Sequence, residues 1–134
     1  MEKRRSRVYV IDDDASVRKA FGRLLRSANL DAETFPSAEA FLSSPKEKEN
    51  ACIIIDIRMP GLTGFDLLGR PAPEGIQIPM IAISAHDDEE TREHARELGA
   101  VSFFRKPVDD QALLDAIWWV IAKGQRPKEQ LAMK

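Results

Sequence analysis

The sequence contains a single cysteine, Cys52, among its 134 residues, so no intramolecular disulfide can form. Cys52 lies inside an apolar run, and we expect it to be a small buried residue in a reducing, cytoplasmic compartment. The chain also lacks an apolar run long enough to span a membrane. Too few apolar residues follow its basic start for a signal peptide.

The sequence has little net charge: 20 basic and 22 acidic residues give a formal charge of −2. No global positive field attracts nucleic acid or an anionic membrane, and we expect no specific DNA binding by this chain. Internal repeats, low-complexity tracts and glycine-rich nucleotide-binding fingerprints are also missing. With 43% hydrophobic and 31% charged residues, the composition is that of one ordinary globular domain.

Strand-like and helix-like segments alternate along the chain. Short β-branched apolar runs predict strands, and amphipathic segments with capping residues predict helices. Five such units favour an α/β fold with a doubly wound, five-stranded parallel sheet. The predicted strands are Val8–Ile11, Asp31–Phe35, Cys52–Ile55, Met80–Ile83 and Val101–Phe104. The predicted helices begin near Asp14 or Ala15, after Pro36-Ser37, and near Phe65, Glu89 and Asp109.

Three segments are predicted to depart from this regular pattern. Asp31–Phe35 is short and polar, which is typical of an edge strand. The segment 69–73 contains two prolines, so the helix near Phe65 is predicted to be short. From Gly124 the chain is polar and contains Pro127. We therefore predict a domain over residues 1–124 and a C-terminal tail or the start of a linker over residues 125–134.

Carboxylates follow two of the predicted strands. Asp12 and Asp13 come directly after the first strand, and Asp56 comes directly after the third. Strand ends of a parallel sheet meet at the edge where ligands bind, so we expect these side chains to lie close together. Crowded carboxylates repel unless a proton or a cation lies among them, and oxygen ligands suit Mg²⁺. The sequence therefore predicts phosphate chemistry supported by Mg²⁺ at Asp12, Asp13 and Asp56.

Two further strand ends carry polar side chains, a hydroxyl at Ser84 and an amine at Lys106. Taken singly, each of the polar strand-end residues has a plain structural interpretation, as a solvated side chain or a partner for backbone amides. Polar groups at four strand ends of one sheet together favour a functional site. Trp118 and Trp119 are adjacent on a predicted helix, so at least one is expected at the surface, where tryptophan often marks an interface.

The ordered motifs resemble the receiver domain of two-component response regulators. The resemblance spans about Arg7–Lys123, nearly the whole chain. It rests on Val10–Asp14, Asp56–Gly61 with Gly64, Ile83-Ser84-Ala85, Gly99-Ala100 and Lys106-Pro107. It implies a flavodoxin-like (βα)5 fold, and the motifs around Arg58 and His86 are similar to those of receivers joined to LuxR-type output domains.

The resemblance also implies which residues hold the phosphoryl group and the metal. Asp56 corresponds to the phosphoacceptor. The side chains of Asp12, Asp13 and Asp56 and the backbone carbonyl of Arg58 correspond to the Mg²⁺ site. The phosphoryl donor implied is a sensor histidine kinase.

Other positions correspond to residues that read the phosphoryl group. Ser84 and Lys106 correspond to the residues that bind its oxygens, and Phe103 to the aromatic switch position. Movement of Ser84 toward the phosphoryl group would vacate space for Phe103. Arg58 and His86 correspond to positions at the pocket mouth that tune the lifetime of the phosphoryl group.

The leading hypothesis is a phosphorylation-controlled switch. Phosphorylation would change the face formed by the helix near Glu89, the last strand and the last helix, and would promote a homodimer there. The expected output is transcription regulation through a domain that residues 1–134 do not contain. The alternative is a stand-alone receiver that relays phosphate or binds a partner protein.

Two other classes of protein are disfavoured. A phosphohydrolase with an aspartate nucleophile normally has a second acid two residues later and a substrate-covering cap, whereas Arg58 occupies that position and no cap-sized insertion is present. We therefore expect no enzyme activity beyond autocatalytic phosphorylation and dephosphorylation. A pseudo-receiver that never accepts phosphate is disfavoured because all the acidic, hydroxyl and amine positions of the motif are filled.

Overall fold

Strands and helices alternate in the computed structural model, which describes residues 5–44, 49–57, 78–86, 88–97 and 99–124. The strands are β1 (Arg7–Ile11), β2 (Asp31–Phe35), β3 (Ala51–Asp56), β4 (Met80–Ser84) and β5 (Ser102–Arg105). The helices are α1 (Ala15–Ser27), α2 (Ala38–Leu42), α3 (Glu89–Glu97) and α4 (Asp110–Gly124). The helix predicted near Phe65 and the predicted tail 125–134 lie outside the described residues.

The five strands form one parallel sheet in the order β2-β1-β3-β4-β5. Every residue of β3 and β4 is buried, because these apolar strands lie inside the sheet and are covered on both faces. The polar strand β2 lies at one edge, as predicted. The predicted five-stranded parallel sheet is therefore confirmed.

Side chains that alternate along the strands divide the core into two layers. On one face Tyr9 packs against Phe41 of α2, with ring centroids 5.5 Å apart, and Ala95 of α3 joins the same cluster. On the other face Leu25 of α1 and Ile117 of α4 belong to the second cluster. Helices therefore cover both faces of the sheet, which makes the fold doubly wound. Full burial of each large apolar side chain contributes about 2 kcal/mol to this core.

Local capping residues define where helices begin and end. Asp14 is the N-cap of α1, since its Oδ1 accepts hydrogen bonds from the Ser16 N–H at 2.9 Å and the Ser16 hydroxyl at 2.7 Å. After α3 the chain turns at Gly99, whose φ of 105° lies in the left-handed region that favours glycine. The N–H of Ala100 then donates to the Ala95 carbonyl at 3.1 Å, which closes the helix with a Schellman-type bond.

The last strand is one residue later than predicted. We expected Val101–Phe104, whereas β5 is Ser102–Arg105. Val101 follows the turn at Gly99, and its N–H donates to the Met80 carbonyl of β4 at 2.9 Å, but the paired residues of β5 begin at Ser102. The Val101 side chain is 51% exposed. The shift places Lys106 immediately after the last paired residue, at the same sheet edge as Ser84.

Helix α4 carries two exposed aromatic side chains. Trp118 is 44% exposed and Trp119 is 58% exposed, and the Lys123 ammonium lies 4.4 Å from the Trp119 ring centroid. At least one tryptophan was predicted at the surface, and both are there.

None of the helices in the described ranges has the length and apolar character needed to cross a membrane.

Cys52 lies in the middle of β3 and is fully buried, as predicted. Burial raises the pKa of its thiol to about 12. We expect native protein at pH 8 to react with iodoacetamide at least about a thousandfold more slowly than a free thiol, because little thiolate is present and access is blocked. Mass spectrometry of alkylated protein checks this, with guanidinium-unfolded protein as the control. Equal labelling of native and unfolded protein would contradict the buried position.

Candidate functional site

Adjacent strands bring three carboxylates together. Ile11 at the end of β1 is paired with Ile55 of β3, so Asp12 and Asp56 follow at neighbouring positions. Carboxylate oxygens of Asp12, Asp13 and Asp56 all lie within 4.8 Å of one another. Asp12 and Asp56 are buried, and Asp13 is exposed at the rim. The clustering predicted from the strand ends is confirmed.

Lys106 lies between the two buried carboxylates. Its Nζ is 2.9 Å from Asp12 Oδ2 and 2.9 Å from Asp56 Oδ2. The backbone N–H of Lys106 donates to the Ser84 carbonyl at 2.9 Å, which fixes the end of β5 against the end of β4. The following peptide bond, Lys106–Pro107, is cis. The Lys106 ammonium is therefore paired with two of the three clustered carboxylates.

Asp12 is held in an environment that disfavours its charge. Burial raises the pKa of its carboxyl, against the lowering effects of the Asp14 N–H, which donates to Oδ1 at 2.9 Å, and of Lys106. Its buried Oδ2 is ion-paired with Lys106 but receives no well-directed hydrogen bond. An ionised Asp12 therefore costs folding free energy above its ordinary pKa, and a further cation in the pocket would reduce that cost.

For Lys106, in contrast, the surroundings favour the charged form. Partial burial lowers the pKa of its ammonium, but the hydrogen bond that it donates to Asp56 and the charge attraction of Asp56 and Asp12 outweigh burial and raise the pKa above its usual value. The resulting stabilisation is fully present below the unfolded-state pKa of about 10.4 and is lost as the pH rises through the folded-state pKa. At neutral pH, Lys106 is charged and stabilises the cluster.

The three carboxylates fit a hard divalent cation. All the side-chain ligands are oxygens, their atoms lie close enough to share one ion, and a buried oxygen of Asp12 lacks a directed hydrogen bond. Asp13 at the rim leaves one side of the group open to solvent. Arg58, whose carbonyl was predicted as a further ligand and whose side chain was predicted to tune phosphoryl lifetime, lies outside the described residues.

Ser84 lies at the end of β4, on the strand next to the one that ends in Asp56. Asp56 is paired with Ile83, so Ser84 is one residue farther along the neighbouring strand, and it is fully buried. Its hydroxyl oxygen accepts a hydrogen bond from the His86 N–H at 3.0 Å and can still donate its own proton. His86 is exposed. The structure thus places a buried hydroxyl at the end of the strand that pairs with β3.

Phe103 lies on the strand beside Ser84. It is paired with Ala82 and packs, half-buried, against the cluster that α2 and α3 cover. The guanidinium carbon of Arg92, on α3, lies 5.2 Å from the centre of its ring. An aromatic side chain therefore connects the strand that carries Lys106 to the surface of α3.

Sequence reasoning missed Arg18 at this site. Its Nη1 donates a hydrogen bond of 2.7 Å to the backbone carbonyl of Asp12. In the sequence Arg18 is one of several basic residues on an amphipathic helix, a position where arginine is usually solvated. Only the turn between β1 and α1, capped by Asp14, brings the guanidinium back over the strand end.

The fold and the acidic cluster agree with the comparison to known families. The family model described as the response regulator receiver domain matches residues 8–118. The chain therefore belongs to the receiver domain family of response regulators, which act in two-component systems, and its fold is the flavodoxin-like fold of that family. Receiver domains are phosphorylated by histidine kinases and generally bind Mg²⁺ at an acidic pocket.

Named relatives are response regulators of greater length. Response regulator protein TmoT of Ectopseudomonas mendocina is 38% identical over 129 residues, which cover 96% of this chain and 59% of TmoT. Transcriptional regulatory protein FixJ of Bradyrhizobium diazoefficiens is 38% identical over 118 residues, covering 88% of this chain and 58% of FixJ. The crystal structure of full-length FixJ from B. japonicum superposes with a TM-score of 0.83 at 35% identity, over 96% of this chain and 63% of that one. The chain thus spans less than two thirds of the length of these proteins.

Proposed function

We propose that Asp56 accepts a phosphoryl group from a sensor histidine kinase and that the chain acts as a phosphorylation-controlled switch. The observation that carries this proposal is the arrangement around Asp56. Its carboxylate is buried and lies within 4.8 Å of two other acids, and the Lys106 ammonium lies 2.9 Å from it. The chain would turn over no external substrate, and its only chemistry would be gain and loss of this phosphoryl group.

The transfer itself is a nucleophilic displacement at phosphorus. A carboxylate oxygen of Asp56 forms a P–O bond as the P–N bond of a phosphohistidine breaks, and the imidazole nitrogen keeps the electron pair. With acetyl phosphate as donor, a P–O bond breaks instead and acetate carries the electron pair away. The product in either case is an aspartyl phosphate at Asp56.

The surrounding groups would offset negative charge during this displacement. Asp12, Asp13 and Asp56 would hold Mg²⁺, which when bound reduces repulsion between the carboxylates and an incoming phosphoryl group. Lys106 already lies at the Asp56 carboxylate and could offer its charge to a phosphoryl oxygen. The Ser84 hydroxyl could donate to a second oxygen. Arg58 and His86 correspond in the receiver family to positions that tune phosphoryl lifetime, and they would set how long the phosphoryl group persists.

Phosphorylation would reach the output through Phe103. Ser84 and Phe103 lie on neighbouring strands, so movement of Ser84 toward the phosphoryl group would let the Phe103 ring turn inward. The face that would respond consists of α3, β5 and α4. The output would be transcription regulation by a further domain, in keeping with the name of the relative FixJ.

The expected compartment is the cytoplasm, which suits a single unpaired cysteine.

Incubation with Mg²⁺ and acetyl phosphate is expected to add one phosphoryl group to the protein. The reason is that Asp56 is the one proposed acceptor, with the Lys106 ammonium 2.9 Å from its carboxylate and two further acids within 4.8 Å. Intact mass spectrometry at neutral pH measures the adduct, and excess chelator provides the control. An unmodified protein, or equal labelling with and without chelator, would contradict the proposed reaction.

The α3–β5–α4 face is expected to self-associate when Asp56 carries a phosphoryl mimic. This face contains the exposed side chains of Val101, Trp118 and Trp119, and a symmetric dimer buries one such patch against itself. Sedimentation velocity with and without beryllofluoride measures the change, and Asp56→Asn is the matched control. A monomer at high concentration in both states would mean that the face serves a different partner.

A further inference from the structure

We propose that Arg18 is a positioning residue for the metal pocket, holding the turn between β1 and α1 so that Asp12 and Asp13 both face Asp56. The inference rests on the proposed Mg²⁺ site. It concerns a side chain that supplies no ligand to that site. Its contribution would be geometric and would act through the backbone of Asp12.

The contacts of the turn support this role. Asp12 N–H donates to the Phe35 carbonyl at 3.1 Å, which ties the turn to β2. The Arg18 guanidinium donates to the Asp12 carbonyl at 2.7 Å and so holds the peptide that leads into Asp13. A hydrogen bond from a charged donor is stronger than a neutral one. Asp13 is exposed, so its carboxylate depends on the backbone for its direction.

Two effects of Arg18 on Mg²⁺ affinity have opposite signs, which makes the inference testable. As a positive charge near the pocket, Arg18 repels a divalent cation, and removal of that charge would tighten binding. As a positioning residue, it preorganises the ligands, and its loss would weaken binding. Groups that orient metal ligands typically change affinity by about 10–100-fold when mutated. We therefore expect geometry to outweigh the partly solvent-screened charge.

The experiment measures Mg²⁺ affinity directly by isothermal titration calorimetry, without phosphorylation. Arg18→Met is expected to weaken Mg²⁺ binding by about tenfold, and Arg18→Lys, which keeps a charged donor, by less. Lys19→Met is the matched control, since Lys19 is the neighbouring exposed residue on α1 and its removal deletes the same charge. This control is expected to bind Mg²⁺ within about twofold of wild type. Amide hydrogen exchange at Asp13 and Asp14 should rise in Arg18→Met alone.

Each other result would overturn the inference in a recognisable way. Arg18→Met that binds Mg²⁺ as tightly as wild type, or more tightly, would show that charge and not position dominates. An equal loss in Lys19→Met would assign the effect to net charge. A loss accompanied by exchange rising across the whole sheet would assign it to global destabilisation. Failure of wild-type protein to bind Mg²⁺ would refute the proposed metal site and this inference together.

The contact between Arg92 and Phe103 carries a second, independent inference: Arg92 restrains the Phe103 ring in the unphosphorylated state. The guanidinium carbon lies 5.2 Å from the ring centre, within the range of a cation–π interaction. Both side chains line a cleft of about 400 Å³ between α3 and β5, which Arg96 also lines. If Phe103 turns inward on phosphorylation, as the proposed function holds, this interaction is lost. It therefore favours the unphosphorylated conformation.

The matched comparison is between two arginines of the same cleft. Arg92→Met keeps an apolar stem over the ring but removes the cation, and Arg96→Met removes a second cation of the same cleft, which pairs with Glu93 at 2.7 Å. An exposed cation–π pair favours the conformation that contains it by about two- to fivefold. Arg92→Met should therefore lower, by that factor, the beryllofluoride midpoint, the concentration at which half of the protein has switched. Arg92→Lys should be intermediate, and Arg96→Met should match wild type. The midpoint is read from the Phe103 amide shift in NMR titrations.

The possible results separate this inference from the function on which it rests. An Arg92→Met midpoint equal to that of Arg96→Met, or higher than that of wild type, would overturn the restraint while leaving the switch intact. A wild-type protein whose Phe103 amide does not respond to beryllofluoride would refute the proposed switch, and the restraint with it.

Discussion

Replacement of Asp56 by asparagine is expected to reduce phosphorylation by acetyl phosphate to background. The amide has nearly the same shape as the carboxylate but is a poor nucleophile, so the displacement at phosphorus loses its attacking group. Asp56 is 5% exposed at the end of β3, next to β1 and β4, and its place in the sheet should survive the change. Intact mass spectrometry after incubation with Mg²⁺ and acetyl phosphate measures the label.

Asp14→Asn is the matched control for this prediction. Asp14 lies in the same acidic turn, but its carboxylate caps α1 by accepting from the Ser16 and Val17 N–H groups. Asparagine also caps helices, so Asp14→Asn should fold and be labelled like wild type. Background labelling in both variants would point to a general loss of acidic charge. An unchanged label in Asp56→Asn would remove Asp56 as the acceptor.

The sheet could be predicted from local sequence because its strands differ in character along the chain. Residues 51–55 and 80–83 are continuous apolar runs, which require cover on both faces, and such strands belong in the interior of a parallel sheet. Asp31–Phe35 is polar and lies at the edge. The wrong start predicted for the last strand, at Val101, also came from judging each segment by its local character. An apolar residue after a glycine turn looks like the start of a strand, but ladder pairing, which sequence does not show, begins at Ser102.

The acidic cluster was also predictable, because the end of a strand is a local property and parallel strand ends share one edge. Asp12 and Asp56 needed no tertiary information beyond that rule. The contacts of long side chains were not predictable in this way. Arg18 and Arg92 lie on helices, and their targets, the Asp12 carbonyl and the Phe103 ring, are set by how each helix packs on the sheet. Flexible side chains with several possible partners leave no periodic signal in sequence.

Lys106 illustrates the same limit at the centre of the site. Its position after the last strand predicted that it could reach the pocket. The structure adds that its Nζ contacts Asp12 and Asp56 at the same distance, 2.9 Å, and so occupies the position of a cation among the carboxylates. A metal ion and Lys106 would therefore compete for the same two carboxylates, Asp12 and Asp56. Removal of Lys106 should then change the stability of the fold, the metal affinity and the switching response in different directions.

Lys106→Met is expected to fold but to be less stable without metal at neutral pH, by about 1–3 kcal/mol in the free energy of unfolding. Methionine keeps the long stem but leaves the buried carboxylates of Asp12 and Asp56 without their cation. Mg²⁺ should restore the stability, and its affinity should rise by at least about tenfold because the competing charge is gone. Urea unfolding with and without Mg²⁺, together with calorimetry, measures both effects.

The same variant should be impaired as a switch although it binds metal more tightly. Without Lys106, a phosphoryl mimic at Asp56 loses the cation that would couple it to β5, so the amide shifts of Ser84 and Phe103 on adding beryllofluoride should be much smaller than in wild type. Lys123→Met is the matched control, because it removes the same charge at the far end of α4, about 20 Å along that helix from Asp110. A full wild-type response in Lys106→Met would show that phosphate reaches Phe103 without Lys106. Equal changes in Lys123→Met would assign the effects to net charge instead of the pocket.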